Sequence, residues 1–91
     1  MKVFKGTTSG SVLQVAFNIP CELVSYSLSN TSGGSVTATV YVRDEGVDTI
    51  INTQSINAGA TYINDVKAVI GANVSIYLVV NGAVDYYFSL T

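Results

Sequence analysis

The sequence predicts an all-β protein: an antiparallel β-sandwich, jelly-roll or immunoglobulin-like, with roughly seven to eight strands. Three observations predict it. Apolar and polar residues alternate with period two almost from end to end, which marks strands with one buried face. Turn-forming pairs recur about every ten residues, at Gly33-Gly34, Glu45-Gly46, Ala58-Gly59, Gly71-Ala72-Asn73 and Asn81-Gly82. No segment carries a sustained apolar stripe at helical spacing. At 91 residues the chain is one domain, 1–91, with enough length for a single core.

Taken in order, the elements rest on unequal signals. Val3 and Phe4 can form a short first strand, while the Lys, Gly, Ser and Thr content of residues 1–10 also suits a flexible N-terminal arm that pairs with another protein's edge strand. Leu13, Val15 and Phe17 alternate within "SVLQVAF". Cys21 follows Pro20 at a strand entry, and Val24, Tyr26 and Leu28 continue that strand on one face. After "SNTSGGS", Val36, Ala38, Val40 and Val42 oppose Thr37, Thr39 and Tyr41. Segments 48–56 and 60–70 read as further strands. In the second of these Val66, Ala68, Val69 and Ile70 would also fit a helical turn, but β-branching and the bounding Gly71 favour extension. Val74, Ile76, Leu78 and Val80 form one face, then Val84, Tyr86, Phe88 and Leu90 form another. Because Asn-Gly tolerates the positive φ of a type I′ turn, Asn81-Gly82 predicts a hairpin between 73–80 and 83–91.

Composition narrows the function classes. The chain is 48% hydrophobic and only 11% charged, against roughly a quarter charged in an ordinary soluble domain. Four basic residues against six acidic ones give a net charge of −2, so there is no basic stripe for nucleic acid. Sparse charge suits a surface that neighbours partly cover, as in an assembly. No apolar run reaches the length of a membrane-spanning helix, and "MKVFKGTTSG" leads into no apolar run of signal-peptide length. The single Cys21 can close no intrachain disulfide and reads as a buried thiol. Asn30-Thr31-Ser32 and Asn73-Val74-Ser75 match the glycosylation sequon, but without an export signal they read as chance matches.

The inventory for chemistry is thin. With no His and one Cys, the usual nucleophile–base pairs and the commonest zinc sites cannot be assembled. Glu22, Asp44, Glu45, Asp48, Asp65 and Asp85 lie at turns or strand ends, where carboxylates cap or solvate the backbone. In "RDEGVD", Asp44, Glu45 and Asp48 are close enough for Ca²⁺ but lack EF-hand spacing, so a charged turn is the better reading. The expectation is a protein with no catalytic residues, metal or cofactor. The six tyrosines are the more telling signal: Tyr41, Tyr77 and Tyr87 alternate away from their strands' aliphatic sets. Outward tyrosines offer a flat apolar ring and a polar tip for a protein partner, or for a glycan.

From Leu23 onward the chain resembles the small all-β structural proteins of tailed-bacteriophage virions. The elements carrying the resemblance are a turn of the type L-x-N-T-S at Leu28 to Ser32 and a V-T-V-x-V-Y-V strand at Val36 to Val42. An I-x-A-G-x-T turn follows at Ile56 to Thr61, then a segment of the type V-x-x-G-x-x-I-x-V at Ile70 to Leu78, and G-x-V-D at Gly82 to Asp85. The resemblance implies a capsid decoration or cement protein, or a tail accessory protein, made in the host cytoplasm and located in the virion. Its implied partners are copies of itself and the major capsid protein or a tail protein, and it carries over no catalytic residue. A host-surface or carbohydrate-binding module is the alternative, with the same tyrosines facing sugar.

Overall fold

A computed structural model describes the backbone of residues 2–9, 12–17, 21–70 and 74–90 and the side chains of 3–9, 22–67 and 74–90. Within them run β1 (Lys2–Ser9), β2 (Val12–Phe17), β3 (Cys21–Asn30), β4 (Val36–Asp44), β5 (Val47–Ile56), β6 (Thr61–Ile70), β7 (Val74–Val80) and β8 (Ala83–Leu90). They form two antiparallel four-stranded sheets, ordered β1-β8-β3-β6 and β2-β7-β4-β5. This is the strand order of a jelly roll, and it resolves the choice between the two sandwich topologies.

That order corrects two expectations. β7 and β8 belong to different sheets, so Asn81-Gly82 carries the chain across the sandwich instead of closing a hairpin. Its chemistry serves the crossing: the Asn81 side-chain oxygen accepts the Thr37 amide at 2.8 Å, and a Cβ on Gly82 would lie 2.7 Å from a Val36 methyl. Residues 2–9 are no loose arm, because β1 pairs with β8 without a register break from Lys2↔Leu90 to Ser9↔Ala83. Among the described strands only β4 and β5 are neighbours in both sequence and sheet. They meet at Glu45 (φ 51°) and Gly46 (φ 81°), the two positive φ values of a type I′ turn.

Alternation places the core as the sequence implied on most strands. Leu28, Val36, Val40, Leu78, Val84 and Phe88 are buried between the sheets, and the Tyr26 ring stacks on Phe88 with centroids 5.0 Å apart. β3 departs from strict parity, since register shifts against β6 and β8 between Leu23 and Ser25 turn Leu23 inward in place of Val24. Facing that shift, Lys67 sits at φ 54°, a left-handed conformation that costs a non-glycine residue about 1 kcal/mol or more. Lys67→Gly should therefore raise unfolding stability by about 0.5–1 kcal/mol, less than the full strain because glycine also loosens the unfolded chain. Urea denaturation reads this directly, and an unchanged or lower midpoint would contradict it. The strand entry at Cys21 is as expected, whereas its thiol, the alternating side chains 13–17 and the Gly71-Ala72-Asn73 turn lie outside the described residues.

The loops at one end are pinned by a buried polar hub. Asn30 ends β3, and its amide donates to the carbonyls of Gly34 and Ile56, each at 2.8 Å. Its side-chain oxygen accepts from the Ser32 amide at 2.9 Å and the Ser32 hydroxyl at 2.7 Å, an Asx turn. The Asn30 backbone exchanges hydrogen bonds with Gly59 and Ala60, so loops 31–35 and 57–60 converge on one residue.

Each open edge carries a guard against pairing with another chain. β1 bears Lys5, while the ladders of β2, β5 and β6 each contain a register shift. Recognition by strand addition is disfavoured, so the outer faces are the surfaces to consider.

Candidate functional site

Pleating turns Thr37, Thr39, Tyr41 and Arg43 of β4 outward, and opposite them on β7 stand Ser75, Tyr77 and Val79. The directly paired Tyr41 and Tyr77 stack with centroids 5.1 Å apart and planes 6° from parallel. Arg43 lies over both rings, its guanidinium carbon 4.6 Å from the Tyr77 centroid and 5.7 Å from that of Tyr41. Asp48 faces Arg43 across the β4–β5 turn and accepts from its Nε at 2.7 Å and a terminal nitrogen at 3.2 Å, a two-pronged ion pair. That hydrogen bond raises the Arg43 pKa, and the same pair holds the Asp48 carboxyl below the usual carboxylate value. Both groups are open to water, so the pair orients the guanidinium more than it stabilises the fold.

Beside this stack the surface turns apolar. Ile50 pairs across from Tyr41 and is 64% exposed; Val47, at the turn, is 66% exposed. With Thr39, Tyr41, Asp48 and Val79, Ile50 outlines a shallow hollow of about 400 Å³.

The other sheet presents a mixed face, in which hydroxyl and charged side chains stand beside exposed Val3 and Ile63. In one cross-strand row lie Lys5, Tyr87, Ser27 and Ile63; in the next lie Thr7, Asp85, Ser29 and Thr61. Thr7 donates to an Asp85 carboxylate oxygen at 2.7 Å, and the Ser29 and Thr61 hydroxyls are 2.8 Å apart. Lys5, Thr7, Ser27, Ser29, Asp85 and Tyr87 line a groove of about 450 Å³.

The three tyrosines singled out in the sequence are thus divided between opposite surfaces. Tyr41 and Tyr77 share the β2-β7-β4-β5 face, where Tyr41 is only 8% exposed beneath its neighbours, and Tyr87 is 45% exposed on the other. Tyr26 and Tyr62 belong to the sheet-to-sheet join: Asn64 donates to the Tyr26 hydroxyl at 3.0 Å and Asn52 to that of Tyr62 at 2.9 Å. Burial is the main cause that pushes the Tyr26 phenol pKa up. Asp44, Glu45 and Asp48 do not converge, and no group of three acidic or metal-ligating residues occurs among the described residues. Sequence reasoning missed Arg43, Asp48 and Ile50 as parts of one face. Their signal was present in the Glu45-Gly46 turn, whose two-residue length fixes the register that sets Arg43 opposite Asp48.

No protein-family model and no curated protein matches the chain. Among solved structures, the crystal structure of PirA aligns with a TM-score of 0.62 and 17% identity over 98% of this chain and 93% of that one. This likeness shows the fold alone. A de novo designed double-stranded β-helix aligns at a TM-score of 0.41 with 14% identity, each chain fully covered. A chain of infectious bursal disease virus, Gt strain, aligns at 0.43 with 10% identity over 99% of this chain and 30% of that one. Neither of these two alignments is close enough to bear on function. The likeness to tailed-phage proteins is carried by the sequence elements alone.

Proposed function

We propose that the chain is a non-enzymatic structural protein of a tailed-phage virion that decorates the capsid and stabilises the shell by burying its β2-β7-β4-β5 face. The observation that carries this reading is the exposed apolar pair Val47 and Ile50 beside an aromatic stack already held by Arg43 and Asp48. Interfaces favour this combination of apolar, aromatic and arginine side chains with little free charge. A rigid stack loses little side-chain freedom on docking, so more of the contact energy appears as binding. Each bound copy would then add its binding free energy to the assembled shell by mass action. With its edges guarded, the protein has faces rather than strand ends to offer neighbouring copies and the shell.

The test is absolute mass by light scattering after size exclusion, over a range of concentrations. The expected result is a closed oligomer, with a trimer matching a three-fold position of a shell. Ile50→Asp should convert it to monomer by burying an unpaired charge in the contact. A monomer at every concentration, or an oligomer indifferent to Ile50→Asp, would overturn self-association through this face.

A further inference from the structure

We propose that the groove on the outer face of the β1-β8-β3-β6 sheet is a binding site for an uncharged pyranose sugar, with Tyr87 as its platform and Asp85 and Lys5 as its polar clamps. This goes beyond the capsid reading, uses the opposite surface and stands or falls separately.

Four features point to that ligand. Tyr87 is the half-exposed aromatic ring of this face, and a ring of that kind stacks on the apolar side of a sugar while water-facing hydroxyls stay in plane. Around it the groove supplies the two kinds of partner that a sugar hydroxyl needs, because each hydroxyl both donates and accepts. Asp85 accepts: Thr7 occupies one of its oxygens at 2.7 Å, which steadies the carboxylate and leaves the second for a ligand. Lys5 donates, and neither it nor the Ser27 hydroxyl is engaged by another described side chain. One cation and one anion in the lining balance, which disfavours phosphate, sialylated or cationic ligands and suits a neutral polyol.

Spacing supports the same assignment. Neighbouring strands lie about 4.8 Å apart, and same-face residues along a strand about 6.8 Å apart. The rows Lys5–Tyr87–Ser27 and Thr7–Asp85–Ser29 therefore form a grid on the scale of one pyranose ring. That grid rests on the β1–β8 ladder, unbroken over eight residue pairs, and is preorganised by backbone hydrogen bonding. The groove is open and shallow, so affinity on the order of 1 mM is expected for a monosaccharide.

The experiment titrates uniformly ¹⁵N-labelled full-length protein with methyl glycosides of glucose, galactose, mannose and N-acetylglucosamine, and with N-acetylneuraminic acid as the charged comparison. The expected result is saturable amide shifts for at least one neutral glycoside, centred on residues 5–7, 27–29 and 85–87, and no saturation with the acid. Tyr87→Ala and Asp85→Asn should each weaken binding about tenfold or more. Thr53→Ala on the far sheet should leave it unchanged, and unchanged thermal midpoints confirm that the variants fold. Tyr87 and Asp85 are exposed, so loss of fold is not the expected cause. Absence of saturation by every neutral glycoside, shifts centred on the other sheet, or binding that survives Tyr87→Ala would each overturn the site. Any of these leaves the capsid reading standing, since that reading is judged by Ile50 and the measured mass.

Discussion

Asn30→Asp should destabilise the protein by about 3–5 kcal/mol, seen as a fall of roughly 15–30 °C in the thermal midpoint. The exchange removes the amide that donates to the Gly34 and Ile56 carbonyls and places a carboxylate oxygen against those acceptors, in a site that is 2% exposed. The buried Ile56 carbonyl loses its side-chain donor, while the Gly34 carbonyl keeps the Ser32 hydroxyl, and a buried charge is added without a cationic partner. Asn30→Ala should cost somewhat less, about 2–4 kcal/mol, because it removes the same donor from the buried Ile56 carbonyl without adding charge. If aspartate proved milder than alanine, electrostatic repulsion at this site would have to be abandoned as the cause. The same burial answers the sequon at Asn30-Thr31-Ser32: its amide nitrogen is committed to two carbonyls and is inaccessible in the folded chain.

Phe88→Ala is the second large effect, an expected loss of about 3–5 kcal/mol. Phe88 lies on β8, the strand held between β1 and β3, and its ring stacks on Tyr26 and meets Tyr86 edge-on with centroids 6.1 Å apart. Removing it opens a cavity bordered by strands on both sides, which cannot close without breaking the ladder. It also takes away the surface against which Tyr26 is held for its hydrogen bond from Asn64. Phe88→Leu, which fills most of the volume, should recover more than half of the loss. Chemical denaturation of the pair separates cavity from aromatic contact; equal losses for both variants would put the whole effect on the ring stacking.

How legible this was in the sequence varied with the kind of information needed. Inside and outside along a strand follow from the two-residue pleat, so Val36, Val40, Leu78 and Phe88 could be assigned to the core from alternation alone. Which strands lie side by side is not a local property, and alternation says nothing about it. Asn81-Gly82 shows the cost: a local preference for a hairpin yields to tertiary contacts at Thr37 and Val36, and neither Asn81 nor Gly82 adopts positive φ. The register shift near Val24 was invisible for the same reason, since one extra residue leaves no mark on composition. Asn30 did leave a mark, as Asn-Thr-Ser closing an alternating strand is an Asx-turn signal. The repeated Ser25, Ser27 and Ser29 likewise showed a hydroxyl stripe. Its neighbours Asp85 and Lys5 come from opposite ends of the chain, and only the fold brings them to it.

The pairing of the first strand with the last has a consequence for how the molecule is made. β8 is hydrogen-bonded on both sides, to β1 and β3, so their sheet cannot close until residues 83–90 have left the ribosome. Its Greek-key partners are distant in sequence, which places the protein among slow folders whose rate is limited by forming long-range contacts. Until then Leu23, Leu28 and the other inward residues of β3 remain open to solvent and to other nascent chains. The β4–β5 hairpin, closed by its own tight turn, is the first described pair that can form during synthesis, and it provides the template on which the later strands assemble.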